Sequence, residues 1–129
     1  MERRAVFIDP AAESPRDRVG GVRTWHLATR AGGANAFLND ITEFDPCAYL
    51  PLHLHNCCEA VVVPERLARC QLEEQSRDLG PNEAVVIDAG LVHRFANAGE
   101  GRLRIRFTYG SAFATRTLVA TGVTQPVEA

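Results

Sequence analysis

The segment at residues 50–63, LPLHLHNCCEAVVV, brings together several side chains of the kinds that bind metals. His53 and His55 lie two positions apart, so both project to one face if the segment is a β-strand, and Glu59 shares their parity if the strand stays regular. Imidazole nitrogens and a carboxylate oxygen suit zinc, iron, manganese or nickel. One further ligand has to come from a neighbouring strand, and His93 stands where such a strand begins. The pattern therefore predicts one divalent metal bound by these four side chains.

Cys57 offers an alternative ligand, because it has the same strand parity as the two histidines. The resulting second-choice zinc site is His53, His55, Cys57 and His93. We favour the interpretation in which Cys57 and Cys58 are small buried side chains, since free cysteine is among the most buried residue types, and we expect the same of Cys47 and Cys70. An interpretation in which the histidines only pack against one another is the least favoured, because burying several titratable groups without partners is costly.

Three further side chains are candidates for a catalytic role in the same cavity. His26 could act as a general base, although a single histidine on a strand is more often a packed or surface residue. Tyr49 and Tyr109 could each donate a phenolic proton, or could simply cap the core. Both roles stay open for all three residues.

Short runs of strand-forming residues, separated by turn signals, predict an all-β fold of about ten short strands. No segment carries a helical repeat over three turns, and only brief helical turns are predicted, at 13–18 and 31–35. This organisation is typical of a sandwich or a barrel. The predicted strands are 4–8, 22–29, 36–44, 49–55, 59–63, 66–72, 83–88, 92–97, 103–109 and 114–120.

Length and charge limit the possible partners. A chain of 129 residues is the size of one ordinary domain, so we expect residues 1–129 to form a single domain with a loose tail at 124–129. A formal net charge of -2 provides no broad basic field for a nucleic acid. No apolar stretch approaches the roughly 20 residues of a membrane span, and no secretory signal is evident. We therefore expect a cytoplasmic protein, without nucleic-acid or membrane partners, whose cysteines remain thiols.

All 14 basic residues are arginine, which excludes chemistry that requires a lysine Schiff base. Arg102, Arg104 and Arg106 alternate with apolar residues, so their guanidinium groups share one face of a strand. We expect this face to be solvated, or to pair with acidic residues such as Glu73 and Glu74 at a dimer interface. A less favoured interpretation has one of these arginines reach the barrel mouth and bind a substrate carboxylate.

The order and spacing of the candidate ligands resemble the two signature motifs of the cupin superfamily, within residues 47–97. The matching residues are His53-x-His55-x-x-x-Glu59, followed by Gly90-x-x-His93-x-x-x-Asn97. In cupins, three histidines and a glutamate hold one divalent metal inside a small β-barrel. The resemblance therefore implies a double-stranded β-helix, or jelly-roll barrel, with metal ligands at the four positions named above.

Four positions depart from the family pattern. Cys47 and Arg66 stand where the first motif usually begins and ends with glycine. Asn82 stands where the second motif usually begins with glycine, and Asp88 stands where it usually has proline. Asparagine tolerates the left-handed backbone conformation better than most residues, whereas arginine does not. Because such glycines serve turns or close backbone approaches, these departures concern the geometry of loops more than the binding of metal.

The resemblance also implies what the site does. A metal with open coordination positions would support Lewis-acid or oxygen chemistry on a small oxygen-rich compound, such as a hydroxy acid, a diketone, an enediol or a sugar acid. The corresponding enzymes are dioxygenases, isomerases, cyclases and lyases, and the alternative is a non-catalytic module that binds or senses a small ligand. The expected cofactor is one divalent transition metal (Fe, Mn, Zn or Ni) with no organic cofactor. By analogy with other single-domain cupins, we expect a homodimer.

Overall fold

The computed structural model describes residues 3–129, which form short antiparallel strands connected by turns. The strands are β1 (Arg16–Asp17), β2 (Val22–His26), β3 (Leu38–Phe44), β4 (His53–His55), β5 (Glu59–Val63), β6 (Ala68–Leu72), β7 (Ser76–Leu79), β8 (Glu83–Ile87), β9 (His93–Asn97), β10 (Leu103–Tyr109), β11 (Thr115–Leu118) and β12 (Thr124–Pro126). They make two six-stranded sheets. Sheet A has the order β1-β2-β3-β10-β5-β8, and sheet B has the order β12-β11-β4-β9-β6-β7. The prediction of an all-β fold is confirmed.

Alternation along the longer strands produces the core between the two sheets. β10 is buried at every second residue from Leu103 to Tyr109, and β5 follows the same pattern from Glu59 to Val63. Side chains that alternate across a strand give each sheet one apolar inner face and one polar outer face. Phe44 and Leu103 are opposite each other and fully buried, so this end of the barrel is filled by apolar packing. Tyr109 is at the other end of β10, opposite Glu59, where the inner face becomes polar.

Left-handed backbone occurs where the chain crosses between the sheets. Cys47, Arg66 and Asn82 have φ angles of 68, 69 and 66°, and Gly90 and Gly101 have φ angles of 82 and 78°. Each of the five lies in a connection that joins a strand of one sheet to a strand of the other. Cys47, Arg66 and Asn82, which stand where the motifs of the resembled family usually have glycine, thus adopt the conformation for which glycine is the usual choice. The loop geometry that these replacements called into question is maintained.

Several predicted boundaries are wrong at the ends of the chain. Residues 4–8 are not a strand, and Phe7 is 97% exposed, because no neighbouring strand pairs with this segment. The predicted loose tail at 124–129 is also wrong, since β12 pairs with β11 and Val127 is buried. The strands β1, β7 and β12 were not predicted, because their residues are mostly polar and exposed.

Helical structure in residues 3–129 is limited to one 3-10 turn, Pro10–Ala12, whose first free N–H is capped by Asp9. The brief turn predicted at 31–35 corresponds to a hydrogen-bonded turn that begins at Thr29, and the one predicted at 13–18 is replaced by β1. Within these residues we find no helix with the length and apolar character needed to cross a membrane.

Candidate metal centre

The three histidines come from two neighbouring strands of sheet B. His53 on β4 is directly opposite His93 on β9, and His55 is two residues further along β4. Directly opposite residues of an antiparallel pair project to the same face, and residues two apart on a strand do so as well. All three imidazoles therefore point into the barrel, where each side chain is buried.

Glu59 reaches the same point from the opposite side. It begins β5 in sheet A, after a turn at residues 56–58 that carries the chain from one sheet to the other. The expectation that Glu59 lies on the same wall as His53 and His55 is therefore wrong, because the strand does not continue through this turn. The carboxylate faces the histidines across the space between the sheets and is 1% exposed.

The geometry of the histidine group suits one metal ion. One ligand nitrogen from each of His53, His55 and His93 can be chosen so that all three lie within 4.8 Å of one another. The ring centroids are 4.5 Å apart for His53 and His93, 4.9 Å for His53 and His55, and 5.3 Å for His55 and His93. Nitrogens this close together could hold one metal ion, to which an imidazole nitrogen typically binds at about 2.1 Å.

Backbone carbonyls orient each imidazole. His53 Nδ1 is 2.7 Å from the Pro51 oxygen, His55 Nδ1 is 2.9 Å from the Thr115 oxygen, and His93 Nδ1 is 2.8 Å from the Leu91 oxygen. Since a carbonyl can only accept, each Nδ1 carries the proton that it donates. In a ring that carries only this proton, Nε2 keeps a free lone pair, which is the arrangement found in histidines that bind metals.

The Glu59 carboxylate lies against two of these lone pairs. Its Oε1 is 2.9 Å from His93 Nε2 and its Oε2 is 3.3 Å from His55 Nε2. All four of these buried atoms lack a hydrogen-bond partner. Acceptors that face one another at this distance repel unless a cation or a proton lies between them.

Two perturbed pKa values favour the protonation states that bind metal. Burial, together with the neighbouring His93, lowers the pKa of His53 to about 3, so this imidazole is neutral at pH 7. Burial acts to raise the pKa of Glu59, but hydrogen bonds from His55 and His93 and their positive charge, when protons lie between them and the carboxylate, hold that pKa at about 2. A neutral imidazole and an ionised carboxylate are the forms that bind a divalent cation. The residues present therefore fit a metal.

Cysteine takes no part in this group. Among the described residues, the histidines form a potential metal-binding group that does not include Cys57, which lies in the turn before β5. The second-choice zinc site is therefore not formed. Cys70 is buried as expected, whereas Cys47 and Cys58 are exposed, and the expectation of buried side chains is wrong for these two. All four cysteines are free thiols, as predicted.

The three catalytic candidates have different positions. Tyr109 is buried next to the group, with its ring centroid 5.1 Å from that of His55. Tyr49 is 56% exposed and contacts the guanidinium of Arg94 on the outer side of sheet B, so it does not face the cavity. His26 is half-buried at the end of β2, and its pKa is lowered, first by burial and then by the charge of Arg16.

A buried aspartate in the barrel wall was missed in the sequence. Asp40 on β3 is 4% exposed and accepts a hydrogen bond of 2.9 Å from Thr42 Oγ1. Because the single hydroxyl proton of Thr42 is used in this bond, Thr24 donates to Thr42 over 2.9 Å, and Arg18 donates to Thr24 over 3.3 Å. Burial raises the pKa of Asp40 to about 7, against the opposing hydrogen bond from Thr42 and the charge of Arg18.

The arginine run of β10 lies outside the barrel. Arg102, Arg104 and Arg106 are exposed, so none of them reaches the barrel mouth. Arg104 pairs with Glu43 at 2.7 Å and Arg102 pairs with Asp45 at 3.5 Å, both within the same chain. The expected face of alternating arginines is confirmed, and its pairing with Glu73 and Glu74 of a second copy stays a prediction.

Comparisons with known proteins identify the fold. No protein-family model matches the sequence, and no curated protein is significantly similar to it. Among solved structures, an RmlC-like cupin from Shewanella frigidimarina superposes with a TM-score of 0.72 at 16% identity, covering 87% of this chain and 96% of that one. The polyketide cyclase RemF from Streptomyces resistomycificus gives 0.76 at 17% identity, covering 96% and 86%. Oxalate oxidase in complex with its substrate analogue glycolate gives 0.75 at 19% identity, covering 88% and 63%. The chain has the cupin fold, as its two motifs predicted.

Proposed function

We propose that the protein binds one divalent transition metal through His53, His55, Glu59 and His93, and that it is an enzyme acting on a small oxygen-rich acid. The observation that carries the proposal is the set of four buried lone-pair atoms that converge without a hydrogen-bond partner. A divalent cation satisfies all of them together, since it accepts electron pairs from imidazole and carboxylate alike. When bound, such a metal polarises a carbonyl or lowers the pKa of a bound hydroxyl.

The protein supplies groups for moving a proton beside the metal. The Asp40 carboxyl has a pKa of about 7, so at neutral pH it is available both as a proton donor and as a proton acceptor. Tyr109 neighbours Asp40, and burial raises the pKa of its phenol well above the usual value. Tyr109 therefore stays protonated and serves as a hydrogen-bond donor. A general acid or base next to an open metal site distinguishes an enzyme from a simple metal-binding domain.

At least one protein with the same fold is described with a compound of this class. The oxalate oxidase is described with glycolate, a two-carbon hydroxy acid, as its substrate analogue, and RemF is described as a polyketide cyclase. These likenesses support a small oxygen-rich substrate and leave the reaction to be determined. Deprotonation, isomerisation and oxygenation are all compatible with an aspartate of this pKa beside a metal.

Metal content gives the direct test of the binding site. Protein purified without a metal-binding tag is expected to contain about one equivalent of Fe, Mn, Zn or Ni by elemental analysis, and His55→Ala is expected to lose most of it. His26→Ala is the matched control, because it removes an imidazole outside the histidine group. Equal trace amounts of metal in the parent and in His55→Ala would overturn the proposal.

Turnover separates an enzyme from a binding module. The metal-loaded protein is incubated with hydroxy acids, diketones and sugar acids while oxygen uptake and product formation are followed. Activity that is lost in both His55→Ala and Asp40→Asn is expected of an enzyme. Ligand binding that depends on the metal, with no product from any of these compounds, would support the non-catalytic module instead.

A further inference from the structure

β1 is one edge strand of sheet A, and β12 with β11 forms one edge of sheet B. The space between these two edges is called the mouth. A cavity of about 610 Å³ lies between these edges, with Arg18 on one side and Arg116 and Leu118 on the other. Leu50 and Pro51 contribute an apolar part of its lining. The four candidate ligands do not line this cavity, and strand pairing connects it to them through Arg116 and Leu118.

Arg116 is placed beside the histidines by strand pairing. Its Cα is opposite that of His55, and the Cα of Leu118 is opposite that of His53. Because paired residues of antiparallel strands project to the same face, Arg116 projects to the inner face of sheet B together with His55. The guanidinium is therefore on the same side of the sheet as the metal-binding nitrogens.

Arg18 approaches from the opposite edge. Its backbone N–H donates to the Val22 carbonyl over 2.7 Å, and its side chain donates to Thr24 Oγ1 over 3.3 Å. Thr24 is 1% exposed and lies on the inner face of β2. The chain of hydroxyl groups that continues to Asp40 fixes this side chain toward the interior, because every acceptor in it lies inside the barrel.

The two guanidinium groups lack neutralising partners at the mouth. In residues 3–129, neither Arg18 nor Arg116 forms an ion pair with a carboxylate, although Arg23, Arg102 and Arg104 on the outer face all do. Burial and the nearby charge of Arg116 lower the pKa of Arg18, with Tyr109, Asp40 and Arg16 as the other neighbours that affect it. Of the ionisable side chains that line the cavity, Arg16 and Asp17 offset each other, so Arg18 and Arg116 leave the mouth positive.

We propose that Arg18 and Arg116 form an anion subsite for a substrate that carries a second anionic group, a carboxylate or a phosphate, beyond the oxygens that bind the metal. The subsite rests on the proposed metal for the other end of the ligand. Arg18 and Arg116 add two positive charges to those of the proposed metal, so an acid with a second anionic group matches the cavity. The guanidinium fork also suits carboxylate and phosphate oxygens, to which it donates two parallel hydrogen bonds.

Three matched 2-hydroxy acids test the subsite. Malate carries a second carboxylate, 3-phosphoglycerate carries a phosphate, and 2-hydroxybutyrate carries an uncharged ethyl group at the same place. Calorimetric titration of the metal-loaded protein is expected to show at least tenfold tighter binding of malate or of 3-phosphoglycerate than of 2-hydroxybutyrate. Whichever charged acid binds more tightly identifies the anionic group as carboxylate or phosphate.

Variants identify the residues responsible. Arg18→Gln and Arg116→Gln are each expected to weaken binding of the preferred acid at least tenfold and to change the affinity for 2-hydroxybutyrate less than twofold. Arg106→Gln makes the same change of charge on the outer face and should alter none of the affinities. Arg116→Lys keeps the charge without the fork and should recover part of the loss. Circular dichroism and urea unfolding verify that each variant folds.

Metal analysis of the same samples keeps this proposal separate from the metal site. A parent that contains metal but does not prefer a charged acid, including one that binds none of the three at millimolar concentration, overturns the subsite and leaves the metal site standing. A preference that needs both arginines in a protein without metal supports the subsite and overturns the metal site. Equal weakening of all three acids in the arginine variants would also contradict the subsite.

Discussion

Two glutamates of this protein are almost completely buried, and they have opposite surroundings. Glu43 is 5% exposed on the outer side of β3, where its oxygens accept hydrogen bonds of 2.9 Å from Arg23 and 2.7 Å from Arg104. Glu59 is 1% exposed inside the barrel, where its oxygens face His55 and His93 without a hydrogen bond. Burial of an ionised carboxylate is costly in both places unless a positive partner is present.

The difference shows which charges serve the fold and which are available for chemistry. Glu43 obtains its positive partners from the same chain, so its site is complete once the protein has folded. Glu59, Arg18 and Arg116 have no such partners of opposite charge among the described residues, and their orientations are nevertheless fixed by strand pairing and hydrogen bonds. Charged groups that are held in place and have no neutralising partner are the ones to which a ligand of opposite charge can bind.

The largest expected effect is on metal affinity. Glu59→Gln is expected to weaken divalent-metal binding by about 100-fold, or about 2.7 kcal/mol, because it replaces a charged ligand by a neutral one. Glu43→Gln removes the same charge on the outer face and should change the metal affinity less than twofold. Competition titration with a chelating dye measures both values. Equal metal affinities in Glu59→Gln and Glu43→Gln would show that Glu59 contributes no more to metal binding than Glu43 does.

The next effect concerns Asp40, a third buried carboxyl, which faces Thr42, Arg18, Glu59 and Tyr109. Its pKa is about 7 in the folded protein against 3.8 for the free side chain, so between these values the folded state holds a proton that the unfolded state has lost. The free energy of unfolding of the metal-free parent should therefore fall by about 2 kcal/mol between pH 5 and pH 7 relative to Asp40→Asn. Urea unfolding at several pH values tests this.

Asp78→Asn provides the control for that experiment, because Asp78 is exposed and paired with Arg69. The difference in the free energy of unfolding between the parent and Asp78→Asn should change little from pH 5 to pH 7, because both proteins contain Asp40. A parent and an Asp40→Asn variant whose stabilities run parallel from pH 5 to pH 7 would show that Asp40 is ionised in the folded protein throughout, and would take away its role as a proton carrier.

A smaller effect is expected for the fold-stabilising glutamate. Glu43→Gln should lower the free energy of unfolding by about 1.5 kcal/mol, because two charge-assisted hydrogen bonds to Arg23 and Arg104 lose their charge. High salt should reduce this difference, since both guanidinium groups are partly exposed. Glu65→Gln on the exposed turn after β5 is the control. A loss no larger than that of the control would mean that the outer ion pairs do not stabilise the fold.

The smallest expected effect concerns the backbone that joins the two sheets. Cys47 has a φ angle of 68° and an exposed side chain, so Cys47→Gly should raise the free energy of unfolding by about 1 kcal/mol by removing the strain of a side chain in left-handed backbone. Cys47→Ala keeps the Cβ atom and should be close to neutral. Chemical denaturation of both variants checks the prediction, and destabilisation by glycine would contradict it.

The sequence predicted best those elements whose local pattern reflects burial. The predicted bounds of β5 and β10 match the structure, because these strands alternate between buried and exposed residues along their whole length. β11 lacks this alternation, since all four of its residues are half-buried, and Arg116 therefore carried no sign that it points inward. Its position depends on pairing with His55, which is distant in the sequence.

The sequence predicted which residues form the candidate site, but it did not predict how they are arranged on the two sheets. The motif spacing identified three histidines that the structure does bring together, whereas strand parity wrongly placed Glu59 on the same wall as two of them. The alternation of side chains along a strand does not predict the face of a residue that follows a turn into the other sheet. Asp40 was missed because a single polar residue in a strand of ordinary composition does not reveal which residues it will face. Arg18 was missed because it lies in the connection after β1, in a segment predicted to be a helical turn.

The left-handed residues at the sheet crossings bear on how such domains can be detected. Cys47, Arg66 and Asn82 show that a torsion angle can persist after the residue best suited to it has been replaced. A sequence motif lists the residue that usually adopts a given backbone conformation. The motif fails to match when another residue adopts the same conformation at a small energetic cost. Profiles that score the permitted backbone region at each corner, and not glycine itself, would detect chains that have diverged in this way.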